Sequence, residues 1–194
     1  MGIPAANVLR EKFGTPFLVG TPVEGYEGEI SDALEKAAES SCEAFADKKE
    51  NPPEKSGAQI SSEQEELWKV TPDQVIYLRE KDSQSLGFFL TSDITLIGEP
   101  VTMGSLAAAI EQKYGKKVQL LCPLEITEGL LRQGDEAVCG EEAMEEKLKT
   151  ARIIVADPLY RPICPESATF YEMPHIAFSG RIYLKNLYNF RKTT

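Results

Sequence analysis

One histidine, His175, serves the whole 194-residue chain, and that scarcity narrows the chemistry before any fold is considered. A Ser-His-Asp or Cys-His nucleophile system has only this imidazole to draw on, and no G-x-S-x-G elbow accompanies it. Cysteine is sparse and dispersed: Cys42, Cys122, Cys139 and Cys164 stand 80, 17 and 25 positions apart, with no C-x-x-C pair. Zinc ribbons and thioredoxin-type redox motifs need that pair, so free buried thiols are the expectation. Positive charge is in deficit, with 21 Lys and Arg against 31 Asp and Glu and a formal charge of −10. Such a field repels phosphate backbones and anionic lipid, and Lys116-Lys117 and Arg191-Lys192 are isolated pairs, so no nucleic-acid partner is expected. Apolar runs stop at about five residues, against the roughly 20 that span a bilayer. Arg10, Glu11 and Lys12 interrupt the N-terminal region before a secretory apolar core forms. A soluble, cytoplasmic chain is the resulting expectation, with no membrane partner.

What is present is an ordinary globular balance, 42% hydrophobic and 27% charged, in a length that suits one good-sized domain or two small lobes. Residues 3–13 read as a helix with Ala6, Leu9 and Phe13 on one face and Gly14 as its stop. Residues 16–19 read as a short buried strand. A second helix follows, with Ile30, Leu34, Ala37, Ala38 and Phe45 on its apolar face. Residues 47–62, with two prolines and almost no large apolar group, read as a linker or mobile loop. This divides the chain into an N-terminal αβα segment (1–46), the linker, and an α/β domain (63–194). In the latter, 63–68 and 72–90 are expected to be helical, the second started by Thr71-Pro72. Strands are expected at 94–97, 118–122, 152–156 and 175–178, and helices at 102–114, 141–149 and from about Tyr183. Short apolar strands alternating with helices argue for a Rossmann-like three-layer domain with a mainly parallel sheet.

Ligands of such sheets gather at the strand C-termini, which directs attention to 98–105, 122–125, 157–161 and 179–181. The segment Gly98-Glu99-Pro100-Val101-Thr102-Met103-Gly104-Ser105 lacks both the G-x-G-x-x-G spacing and the GK[ST] ending. It fits best an ordinary βα turn capped by Ser105 or Thr102, with an anion site on helix N-terminal amides as the alternative. Asp157 is suited to accept amides of the turn that follows it, while Arg161 is suited to balance an anionic ligand or pair with a carboxylate. Cys164 reads as an inert thiol or a cluster ligand. His175 reads as a satisfied core histidine, or as a metal ligand or proton donor at a cofactor edge. Ser179-Gly180-Arg181 suits a close backbone approach.

Three segments together resemble the component 1 subunits of nitrogenase and their oxidoreductase relatives: residues 5–39, with a "kFG-x-P" strand and glycine-bearing loop; residues 94–121; and residues 153–181, with an "EM-H…SG" element in which Pro174 sets His175 one position later. The resemblance implies a nitrogenase-like oxidoreductase domain or fragment, forming part of a metal–sulfur cofactor and substrate site in a larger electron-accepting subunit. His175 and Arg161 are then the candidate catalytic groups, and Gly98, Gly104, Ser105, Ser179, Gly180 and Arg181 the candidate cofactor contacts. An iron–sulfur or related cofactor is implied by the resemblance. Its cysteine ligands correspond to positions before Met1, so the isolated chain is expected to lack the cofactor and to be inactive. Implied partners are missing N-terminal domains or a paralogous component 1 subunit, and a reductase electron donor; a homo-oligomer is a further expectation. The alternatives are a cofactor-assembly or binding scaffold without turnover, and a non-redox module that binds small anions or a protein.

Overall fold

A computed structural model describes residues 2–48, 69–78, 93–124, 129–175, 178–179 and 182. Its centre is a five-stranded, all-parallel sheet of strands β1 (Ile94–Ile97), β2 (Val118–Cys122), β3 (Glu136–Ala137), β4 (Ile153–Ala156) and β5 (Thr169–Glu172). The spatial order is β3-β2-β1-β4-β5, so the chain builds outward from β1 to one side and then returns to build the other. Right-handed crossovers in opposite directions put their helices on opposite faces. Accordingly α3 (Pro100–Tyr114), between β1 and β2, and α4 (Glu141–Leu148), between β3 and β4, cover different sides. Alternation along the strands serves both layers: Leu96 and Leu120 meet Met103 and Ala107 of α3, while Ile97, Leu121, Ile154 and Ala156 meet Met144 and Leu148 of α4. The expected three-layer α/β architecture is therefore observed.

The N-terminal segment forms a further layer on the outer side of α3. Helix α1 (Gly2–Phe13) ends at Gly14, whose φ of 65° is left-handed, and α2 (Glu27–Lys48) follows. Val19, Val70, Val75 and Tyr77 pack against Val101 and Ala108, and Val23, Tyr26, Ala33 and Ile76 pack against Leu106 and Ala109. Helix α3 is thus covered on two sides, which accounts for its run of small residues, Ala107-Ala108-Ala109. Gly104 belongs to the same logic. A Cβ there would lie 2.6 Å from the Tyr77 ring, whose hydroxyl donates to the Leu130 carbonyl at 3.0 Å and whose phenol burial pushes upward in pKa. Gly104→Ala should therefore cost about 1–2 kcal/mol in urea unfolding, overpacking outweighing the helical gain of alanine; a stabilised variant would show that the Tyr77 ring has room to retreat.

Several expectations are corrected. Leu9 and Phe13 are exposed, and α1 instead buries Asn7, whose side-chain amide donates to the Lys69 carbonyl at 3.0 Å. Leu34 and Ala38 face outward from α2, and Ala33 is its buried residue. Over residues 72–78 the helix expected at 72–90 is replaced by two 3-10 turns, Pro72–Gln74 and Ile76–Leu78, because Val75 leaves helical geometry (φ −99°, ψ 108°) to bridge Val19 in parallel; residues 79–90 lie outside the described residues. That bridge is all that forms of the strand expected at 16–19. The last strand among the described residues lies at Thr169–Glu172; of the strand expected at 175–178, His175 is irregular and Phe178 is in a turn, and residues 176 and 177 lie outside the described residues. Of the linker, 49–62 lie outside the described residues, as do the helix expected at 63–68, the side chain of Phe45 and the helix expected from Tyr183.

Candidate functional site

Parallel pairing brings every strand's C-terminal end to one edge of the sheet, and the reversal of order between β1 and β4 opens that edge. Asp157, the first residue past β4, organises it. Its side chain accepts from the Leu159 amide at 3.0 Å, the His175 amide at 2.8 Å, the Ser179 amide at 3.3 Å and the Ser179 hydroxyl at 2.6 Å. Burial alone would push the Asp157 carboxyl up. The donors from His175, Ser179 and Leu159 outweigh it and hold the group below the usual carboxylate range. The amide of Leu159 was foreseeable as the first turn of the Pro158–Ile163 segment; the donors from 175 and 179 were not.

Held this way, the 173–179 segment lays Phe178 between two rings: His175 at 5.4 Å and Tyr160, edge-on, at 6.3 Å. Arg161 is turned elsewhere, its guanidinium over the Phe170 ring at 5.4 Å and 3.6 Å from the Glu172 carboxylate. These contacts commit the two candidate catalytic side chains to different neighbours. Ser179 is buried on Asp157, and Gly180 and Arg181 lie outside the described residues.

At the other candidate loop, the N-cap of α3 is Glu99, not Ser105 or Thr102: its carboxylate accepts from the Val101 amide at 2.9 Å and the Thr102 amide at 2.6 Å. These are amides that a bound anion would otherwise use. Ser105 is fully buried, accepting from the Thr21 amide at 2.9 Å and donating to the Val101 carbonyl at 2.8 Å. Gly98 admits Met103, whose Cε would lie 2.7 Å from an added Cβ. Gly98, Gly104 and Ser105 therefore each have a packing role.

A cleft of about 340 Å³ opens at this edge on the α4 side of the sheet. Pro123 and Val138, which follow β2 and β3, meet Gly140, Glu141 and Met144 at the start of α4, with Leu159, Tyr160 and Ile163 opposite. Gly140, at φ 95°, makes the tight entry into α4. Burial, with the Asp157 carboxylate adding to it, pushes the pKa of the Tyr160 phenol up. The loops 122–125 and 157–161 singled out in the sequence supply Pro123, Leu159 and Tyr160, whereas Val138, Gly140, Glu141, Met144 and Ile163 were missed; the signal for them was a glycine directly before a helix at a strand's C-terminal end.

The described thiols do not compose a metal centre, and the side chain of Cys42 lies outside the described residues. Burial pushes Cys122 and Cys164 up, their Sγ atoms donate to the Leu124 and Tyr160 carbonyls at 3.8 and 3.1 Å, and Cys139 is exposed. Among the described residues no group of three or more His, Cys, Asp or Glu is arranged to hold a metal ion. Likewise, no helix among them is long and apolar enough to cross a membrane.

Fold and site together define an all-parallel, Rossmann-like α/β domain with a cleft at its ligand edge. Comparison of the chain with family models, with curated proteins and with solved structures finds no match in any of the three.

Proposed function

We propose that this chain is a binding lobe of a nitrogenase component 1-like oxidoreductase subunit, contributing one wall of a cofactor or substrate site at the C-terminal edge of its sheet. One observation carries the reading. Residues 94–121 and 153–181, two of the segments behind the resemblance, contain β1, α3 and β2 and then β4 and β5, and both lead into the loops of that edge. The same edge carries the cleft.

The donor set argues for binding without turnover by the chain alone. Among the described thiols, buried Cys122 and half-buried Cys164 are held neutral and do not suit a thiolate-held cluster, which supports ligands drawn from another domain or subunit. Glu99 on the α3 amides, and Glu141 as the charged group of the cleft, weigh against the small-anion alternative.

Anaerobic purification, incubation with ferrous iron and sulfide, and a visible spectrum with iron analysis test this assignment. The expected result is a colourless chain with iron far below one per molecule. A stoichiometric chromophore abolished by Cys122→Ser or Cys139→Ser would overturn it and make this chain the cluster carrier.

A further inference from the structure

We infer that the edge cleft takes an uncharged aromatic compound of one ring. The inference rests on reading the cleft as the binding site of this edge, and deepens that reading to a ligand class. Three observations carry it.

The side chains behind the cleft converge in one apolar cluster. Val138, just past β3, and Met144, on α4, are buried members of the core on that face of the sheet, and Tyr160 and Ile163 pack against it. The same four residues line the cleft, so its floor is the outer surface of the core. Leu159 stands beside them with 58% of its surface exposed, apolar area that a bound ring would cover. The volume falls at the small end of ordinary ligand sites.

The aromatic wall is fixed in place. The Tyr160 amide donates to the Asp157 carbonyl at 3.0 Å, and the Tyr160 carbonyl accepts from the Cys164 thiol at 3.1 Å. The Tyr160 ring meets Phe178 edge-on at 6.3 Å, and Phe178 lies in the segment that His175 and Ser179 tie to the Asp157 carboxylate. Aromatic rings attract one another beyond what buried area supplies, and a wall held in advance adds little ordering cost. A flexible chain forgoes that contact and loses rotor freedom on binding.

Met144 is the third observation. A thioether is polarizable and makes favourable contacts with ring edges, so the buried side of the cleft suits an aromatic ligand as well. Charge of either sign works against binding here. An ammonium or a carboxylate must shed water to lie against Val138, Met144 and Ile163, whereas an alcohol on the same ring sheds far less. The order of affinity is therefore aromatic alcohol, then a chain alcohol of matched hydrophobicity, then aromatic ions.

The test titrates the full chain at pH 7 with benzyl alcohol, 1-pentanol, benzylammonium chloride and sodium benzoate, following methionine ε-methyl resonances by NMR. Met144 reports on the cleft, while Met103 and Met173 sit in the cluster on the α3 side and act as internal controls. Benzyl alcohol is expected to shift Met144 alone, with a Kd of about 1–10 mM. The chain alcohol should bind about threefold more weakly, and each ion about tenfold more weakly. Tyr160→Leu keeps an apolar wall and removes the ring. It should weaken benzyl alcohol about threefold and leave 1-pentanol unchanged, with unmoved Met103 and Met173 resonances showing that the variant is folded. An ion that binds as tightly as benzyl alcohol overturns the uncharged class. Equally tight 1-pentanol, or unchanged benzyl alcohol binding in Tyr160→Leu, overturns the aromatic class; the cleft stands in each case. If none of the four compounds moves Met144, the cleft itself is not a site and the reading beneath the inference fails with it.

Discussion

Replacing Arg132 with methionine is expected to destabilise the chain by about 3–5 kcal/mol, the cost of leaving a buried carboxylate without its partner. Arg132 is 12% exposed in its side chain and Asp135 1%. The guanidinium donates to Asp135 from Nε at 2.8 Å and from Nη2 at 3.0 Å, to Glu111 from Nη1 at 3.0 Å, and to the Val118 carbonyl from Nη2 at 2.9 Å. Asp135 in turn accepts from the amides of Leu120 at 2.9 Å and Arg132 at 3.2 Å. Burial works against the charge on Arg132, but Asp135 and Glu111 hold it more firmly protonated than usual. The cluster pins the 130–135 loop to β2 and the end of α3. Methionine keeps the apolar stem, so the loss isolates the charge. In urea unfolding, Arg132→Met combined with Asp135→Asn should lose less than the two single variants summed, because the second change removes the stranded carboxylate. A single-variant loss under about 1 kcal/mol would mean that water reaches Asp135 and that the buried-pair account is wrong.

How much of this was legible in the sequence follows from what each element depends on. Strands β1, β2 and β4 occupy the centre of the sheet between α3 and α4, so they read as apolar runs and were found within a residue of their bounds. Strands β3 and β5 are at the edges. Thr169-Phe170-Tyr171-Glu172 is half-exposed or exposed throughout, so a search for apolar runs passes over it and settles on the later apolar stretch at 175–178. The helix stop at Gly14 is local, set by left-handed backbone, and was read correctly. Periodicity located α1 and α2 but not their buried sides. Asn7 is buried because the distant Lys69–Val70 strand of chain passes over it, which no window around residue 7 contains.

The site divides in the same way. Asp157 was legible as the cap of the turn after β4, since Leu159 lies two residues on. Its larger role comes from donors 18 and 22 residues away. Glu99 was read as part of a βα turn; that its carboxylate itself occupies the amides depends on its extended backbone at the cap. The cleft combines three segments of chain, around 123, 138–144 and 159–163, and only the sheet order brings them together.

Asp157→Asn is the corresponding prediction for the ligand edge, with an expected loss of about 3 kcal/mol and a melting temperature lower by roughly 6–12 °C. A carboxamide offers one oxygen where the carboxylate offers two, and its NH2 faces amide or hydroxyl donors. At least one of the four donors from Leu159, His175 and Ser179 is then left unsatisfied in a buried setting. The pH dependence has a definite sign. Because the folded carboxyl titrates below its unfolded value near 4, its contribution is complete above that value and is lost as pH falls through the lower, folded value. The wild-type chain should therefore lose stability faster than Asp157→Asn on acidification below about pH 4, and the two unfolding curves should converge. Position as well as stability is at stake, since Asp157 anchors the segment that carries His175 and Phe178 onto Tyr160, a wall of the cleft. Ser179→Ala separates the two effects. It removes only the hydroxyl donor, should cost about 1–2 kcal/mol, and leaves the carboxylate to the three amides. If the Met144 ε-methyl NMR resonance, from a side chain lining the cleft, shifts in Asp157→Asn but not in Ser179→Ala at a temperature where both are folded, the amide contacts set the geometry of the Tyr160 wall. An unchanged Met144 resonance in both variants would make Asp157 a structural clamp with no hold on the cleft.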